Sequence, residues 1–431
     1  MKVKLKRKEF LKAWQVAEKV AENKTTKEAT SGILLTASDD GHVTLQATDL
    51  KTSVRCNAEG VEIIEPGFAI LPSVILGSMI KKLPSDEIDL EVISDKGTLK
   101  ADRSQTNFTV ISAEEFPKIP ESSGAETIFE IQASDFAKII SEGGSSASLP
   151  ADFPKYIGTC LLRTEKGYVK IASTDGKRFS ISQTTSANII KDEDYLLPAP
   201  AFKELAKTLD SVYGDKNVKI LSDASTIWFN LEDVEFSIRT VDANFPVYER
   251  ILNNVVETSL RIKASDFIPV LERIDIIAKT TIAHIMSMFL NSDGRIKISA
   301  RAPEKGTASE IIPANISGNN MQIGFNVTYF LEGLKILGQG EEVFIEFSGY
   351  EGQARMKRMK GEEVDNDFLY MLMPARLGPQ DIITEDEMKE DNAGEQVPEN
   401  ENQNENHEGE NNGENQNQEN NNNENPENQN Y

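Results

Sequence analysis

The chain has 431 residues and a formal net charge of −24, but 16 acidic residues and one lysine follow Gly378, so the tail carries −15 and the body only −9. No apolar run reaches the roughly 18 residues that span a bilayer, and Met1–Lys8 alternates instead of forming a signal-peptide core, which predicts a soluble, cytoplasmic protein with no membrane partner. Cys56 and Cys160 stand alone in strand-like contexts, and His42, His284 and His407, in a turn, a strand and the tail, have no paired ligands or nucleophile near them, so no disulfide, metal, cofactor or catalysis is expected.

From the N-terminus, Val3 to Phe10 alternates into a predicted helix over 8–22 with Phe10, Ala13, Trp14, Ala17 and Ala21 on one face. A polar loop with Lys24 and Lys27 follows. Asp40-Gly41 between two apolar runs predicts a hairpin, glycine supplying the positive φ of a tight turn. The strand Val43 to Ala47 leads to Thr48-Asp49-Leu50-Lys51, and a second helix is predicted over 73–83 with Ile75, Met79, Ile80 and Leu83 inward. Phe116-Pro117-Lys118-Ile119-Pro120 then breaks regular structure and predicts a linker.

The same order returns twice. Ile131-Gln132-Ala133-Ser134-Asp135-Phe136 reappears as Ile262-Lys263-Ala264-Ser265-Asp266-Phe267, each predicting a strand that enters a helix capped by Ser134 or Ser265. Lys166-Gly167 and Asp293-Gly294 repeat the hairpin, the glycines lying 126 and 127 residues apart. Second helices are predicted at 199–209 and 327–337, Phe245-Pro246 marks a second linker, and Pro269 falls in a first helical turn, where its missing N–H costs little. The period is too long for a solenoid and long enough for a domain. The expected fold class is α+β: three repeated domains over 1–121, 126–250 and 257–377, each with two helices packed on antiparallel sheets. Folding is expected to stop near Leu377. From about Thr384 to Tyr431 nearly every residue is Asn, Glu, Gln or Gly, and 380–431 is predicted to be a disordered, solvated acidic tail.

Three equal repeats with Thr174-Asp175-Gly176-x-Arg178, Phe245-Pro246-x-Tyr248-x-Arg250, Phe325-Asn326-Val327-x-Tyr329 and Met373-Pro374-x-Arg376-Leu377 resemble the bacterial DNA polymerase III β subunits, the sliding clamps, over Met1 to Leu377. The resemblance implies three DNA-clamp domains in a processivity factor, not an enzyme. Two subunits would join head to tail as a homodimeric ring, helices lining a hole through which double-stranded DNA passes without sequence preference. Retention by topology tolerates weak phosphate contacts, and sliding requires them. The six predicted helix spans, 8–22, 73–83, 135–142, 199–210, 266–279 and 327–337, carry eleven basic and eleven acidic residues, so charge alone does not reveal this ligand. The cations expected toward the hole are Lys12, Lys24, Lys27, Lys81, Lys82, Lys138, Lys203, Lys207, Arg273 and Lys335.

The resemblance also implies a peptide cleft between repeats two and three for DNA polymerase III, clamp-loader subunits and other partners with clamp-binding motifs. Its residues would be Ile157, Thr174, Gly176, Lys177, Arg178, Phe179, Pro246, Arg250, Ile251, Met371, Met373, Pro374, Ala375 and Arg376. Their types suit peptide capture, since methionine gives an adaptable apolar wall, proline a rigid one, glycine a close backbone approach and arginine a hold on a polar end. Lys177, Phe179 and Ala375 stand where the family often has His, Leu and Met, which reshapes the pocket. The alternative is a repeat scaffold that binds peptides without encircling DNA. Thr174-Asp175-Gly176-Lys177 lacks the spaced glycines of a phosphate loop.

Overall fold

The computed structural model describes residues 1–21, 27–148, 154–223, 225–252, 255–338, 340–384 and 386–387. Three pairs of packed helices recur along it: α1 (Arg7–Glu18) with α2 (Ser73–Lys82), α3 (Ala133–Gly143) with α4 (Ala199–Tyr213), and, after the single turn α5 (Glu249–Leu252), α6 (Ala264–Ala278) with α7 (Val327–Leu337). Each pair begins where an alternating strand changes to a 3.6-residue apolar period, and its inner face buries Phe10 and Trp14, Phe136 and Ile140, or Phe267 and Leu271. The predicted hairpins are present, with Gly41, Gly167 and Gly294 at φ of +88°, +82° and +93°.

The helix starts differ from expectation in one systematic way. Ser134 and Ser265 lie inside their helices and cap nothing; Gln132 and Lys263 occupy the cap positions and their side chains accept no cap hydrogen bond. The first-turn amides are satisfied instead by backbone carbonyls from the loop after the second helix of the same repeat. Arg7 N donates to Asp86 O (2.7 Å), Ala133 N to Lys216 O (2.8 Å) and Ala264 N to Glu341 O (2.9 Å). These tertiary caps let each helix begin a residue or two early, which puts Pro269 in the helix interior, sixth from the start, instead of the first turn. In α2 the inward residues are Leu76 and Ile80, while Ile75 is exposed. His284 precedes its strand at φ +49°. Lys24 and His407 lie outside the described residues.

The sheets connect the repeats. A nine-stranded sheet crosses from repeat one to repeat two where Thr52–Asn57 pairs antiparallel with Val234–Arg239. A second large sheet crosses from repeat two to repeat three where Arg178–Thr184 pairs with Phe368–Leu372. Two smaller sheets remain. The five-stranded one in repeat one ends at Ser104–Thr109, and the four-stranded one in repeat three ends at Gly306–Pro313.

Packing does not stop at Leu377. Pro379–Asp381 forms a turn of 3₁₀ helix and Ile383 is 3% exposed, so the body extends past the expected end. Apart from 380–384 and 386–387, the segment expected to be a disordered tail lies outside the described residues. No helix among the described residues is long and apolar enough to cross a membrane.

Candidate functional site

The seam between repeats two and three brings the Thr174–Phe179 loop against the chain at Met371–Met373. Thr174 and Asp175 shape its loop: Asp175 Oδ1 accepts from the amides of Lys177 (2.9 Å) and Arg178 (3.0 Å), and Thr174 Oγ1 accepts from Gly176 N (3.0 Å) while donating to Arg178 O (2.7 Å). Gly176 sits at φ +85° and is exposed. Across the seam, Met373 N donates to Lys177 O (2.8 Å), so the chain leaving Phe368–Leu372 runs along the loop. Repeat one contains the same loop bond for bond. Asp49 Oδ1 accepts from Lys51 N and Thr52 N, Leu50 takes the positive φ at +73°, and Arg239 N donates to Lys51 O (2.9 Å). One backbone frame therefore serves both seams, and side chains distinguish them.

At the first seam the paired residues beneath the loop are Ser53 and Ser237. At the second they are Phe179 and Met371, which join Leu161, Ala172, Leu196 and Tyr248 in an apolar cluster separate from the two main cores. The Tyr248 ring packs on Phe179, centroids 5.1 Å apart and tilted by 31°, and the Arg163 guanidinium carbon lies 5.6 Å from the Tyr248 centroid. Gly176, Lys177, Pro246, Arg250, Ile251, Met373 and Arg376 are exposed around this floor; Ile157, Thr174, Pro374 and Ala375 are half-buried. Tyr248 is the lining residue that sequence reasoning missed, although the Phe245-Pro246-x-Tyr248 motif contained it.

Arg178 faces away from the opening. Its guanidinium contacts Asp175 Oδ2 (3.0 Å), Glu332 and Tyr370 Oη (3.4 Å) and lies 4.3 Å from the Tyr329 ring centroid, so it pins repeat two to repeat three. A second strut crosses the same joint. Arg358 Nη2 bonds Glu142 Oε1 (2.9 Å), and Ser182 donates to Glu142 Oε2 (2.6 Å).

Family models match this architecture throughout. The N-terminal, central and C-terminal domains of the DNA polymerase III beta subunit match residues 1–120, 130–247 and 249–376. The chain belongs to the DNA polymerase III beta subunit family. Among its relatives, the beta sliding clamp of Pseudomonas aeruginosa is 28% identical over 376 residues, covering 86% of this chain and 99% of that one. The Escherichia coli beta sliding clamp is 25% identical over 338 residues, covering 78% and 90%. A crystal structure of the Pseudomonas aeruginosa clamp bound to griselimycin superposes with a TM-score of 0.78 at 26% identity, covering 88% of this chain and all of that one. The chain is thus a DNA sliding clamp, a processivity factor of DNA polymerase III without chemistry of its own.

For a clamp the helix charges matter, and many of them are already spent. Lys81 bonds Glu18 (2.7 Å), Lys207 bonds Glu204 (3.1 Å), Arg273 bonds Glu310 (2.6 Å) and Lys335 bonds Glu272 (2.7 Å). Lys203 is half-buried beside Cys160, and burial holds its ammonium below the ordinary lysine pKa; the neighbouring Cys160 opposes this shift and Arg178 adds to it. The same burial pushes the Cys160 thiol up to about 12. Lys12, Lys82 and Lys138 have no ion pair among the described residues.

Proposed function

We propose that two copies of this chain close head to tail into a cytoplasmic ring of six domains, divided at 1–121, 126–250 and 257–377, that encircles duplex DNA. The observation that carries this reading is internal. In two seams, the last strand of a hairpin pair (Thr52–Asn57 or Arg178–Thr184) meets the final strand of the next repeat (Val234–Arg239 or Phe368–Leu372). The counterparts left over are Gly306–Pro313 and Ser104–Thr109, both open edges. A second copy pairs them by the same rule, and exposed edges of this kind are otherwise a liability. Ile276 and Ile282, exposed on and just after the helix packed beside Gly306–Pro313, supply apolar surface for the joint.

The cleft of this ring is the second seam, where the exposed Met373, Ile251 and Pro246 surround the Phe179–Tyr248–Met371 floor. It takes short apolar peptide segments of DNA polymerase III, clamp-loader subunits and other partners, and griselimycin serves as a ligand for the same surface. Sedimentation of the full chain gives a dimer, and Thr307→Pro, which removes an edge amide, gives a folded monomer. The loaded protein stays on nicked circular plasmid and leaves when the plasmid is linearised. Retention that survives linearisation refutes the ring, and griselimycin binding unaffected by Met373→Ala with Phe179→Ala refutes the cleft.

A further inference from the structure

The stretch after Leu377 packs on a face that would otherwise be open. In the four-stranded sheet, Met286, Met288, Ile296, Ile298 and Ile323 point into the core, so Ser287, Lys297, Ser299, Gln322 and Gly324 point outward. Yet Ser287, Lys297 and Ser299 are all buried, Lys297 only 6% exposed. The Pro379–Asp381 turn lies against Arg295–Ala302, and Gln322 Nε2, which donates to Ser287 Oγ at 2.9 Å, also donates to Asp381 O at 3.5 Å. The turn is closed on itself: Gly378 N donates to Asp381 Oδ2 and Asp381 N to Gly378 O, both at 3.0 Å. Ile383 is 3% exposed and its neighbour Ile382 is 50% exposed, so one of the two isoleucines is an anchor and the other is not.

Between this anchor and the strand Phe368–Leu372 lies Met373–Leu377, one wall of the proposed cleft. Two backbone bonds hold it, Met373 N to Lys177 O and Ala375 N to Gly324 O, each 2.8 Å. It passes so close to the sheet that a Cβ on Gly324 would stand 2.6 Å from both Ala375 O and Leu377 Cδ2. A chain ending at Leu377 would present this wall as a terminus with one fixed end, and termini fray unless tied down. Here it is tied at both.

We infer that residues 378–384 are a strap that positions the cleft wall Met373–Leu377, making Ile383 and Gln322 positioning residues for peptide binding. The consequence for peptides rests on the cleft reading above; the strap itself does not. A wall fixed on both sides has already lost the freedom a peptide would have to remove, so the cleft is ordered before its ligand arrives.

Amide hydrogen exchange on the full chain tests this without any ligand. Ile383→Asp should accelerate exchange at Met373 and Ala375 tenfold or more, while Ile382→Asp, the same change one residue away at an exposed position, should leave it within twofold. Truncation after Leu377 should match Ile383→Asp, and truncation after Glu387, which keeps the strap, should match the full chain. Unchanged exchange in Ile383→Asp and after truncation at Leu377 overturns the strap, as does equal acceleration by Ile382→Asp. Failure of the cleft reading would show separately, as griselimycin binding indifferent to Met373 and Phe179.

Discussion

Removing the Glu142 carboxylate should loosen the joint between repeats two and three more than removing Glu332. Glu142 and Arg358 are 9% and 14% exposed at their side chains, so their pairing is a buried one, and stripping one partner from such a pair costs about 3–5 kcal/mol. The lower figure applies, because Arg358 keeps Asp365 at 3.4 Å and the Leu337 carbonyl at 2.8 Å. Ser182 loses its acceptor as well, worth about 1 kcal/mol. Glu332, bonded to Arg178 across the same joint, is 45% exposed, and a screened pair of that kind contributes about 1 kcal/mol or less. With an unfolding entropy of roughly 2 cal/mol/K per residue, the folded unit Met1–Glu385 should lose roughly 5 °C in melting temperature for Glu142→Ala and about 1 °C for Glu332→Ala. Differential scanning calorimetry reads both. Equal shifts, or a silent Glu142→Ala, would refute the assignment of the joint's strength to the buried pair.

Gly324→Ala should displace the cleft wall, since its Cβ meets backbone, and hydrogen exchange at Ala375 should rise with it. Gly176→Asn should cost no more than about 1 kcal/mol by urea denaturation, because nothing lies within 4 Å of the added carbon and Leu50 already holds the same positive φ in repeat one. Asp365 is held below the ordinary carboxylate pKa: burial opposes this, but the Asp367 amide, Lys360 and Arg358 outweigh it. Its contribution is therefore full above the unfolded value of 3.8 and lost as pH falls through the folded value, so Asp365→Asn should flatten the acid limb of stability measured below that pH. Replacing Lys12, Lys82 and Lys138 together should lower the salt slope of clamp retention on circular DNA by roughly 0.9 for each phosphate they neutralise, whereas the paired Lys81 and Lys207 should contribute less.

The repeat and its hairpins were legible because they are written locally: a glycine at positive φ and a change of apolar period need only a few neighbouring residues. The helix caps were not. Their acceptors, Asp86, Lys216 and Glu341, lie about 80 residues downstream of the amides they satisfy, so a nearby serine looked like the cap. Lys203 reads as a surface cation on an amphipathic helix and is instead half-buried by Cys160, a contact between elements distant in sequence. The cleft motif located the second seam, yet it could not say that the Arg178 guanidinium turns inward to Glu332 and Tyr370, nor that Tyr248 fills the floor. Gly-Pro-Gln-Asp-Ile-Ile-Thr over 378–384 carries too short an apolar signal to stand out against the acidic run behind it.

The repeated seam also bears on where a ring of this kind gives way. Both joints within the chain are covalently continuous and carry charge across the pairing: Arg55 reaches Glu235 at 3.7 Å across the first, and Glu142–Arg358 and Arg178–Glu332 cross the second. At the open edge Glu310 of Gly306–Pro313 is paired within its own subunit, with Arg273. In the proposed ring, the joint between subunits lacks the chain continuity that both internal joints have. A ring must open somewhere to admit DNA, and by this comparison the separable seam is the one that was never closed within a single chain.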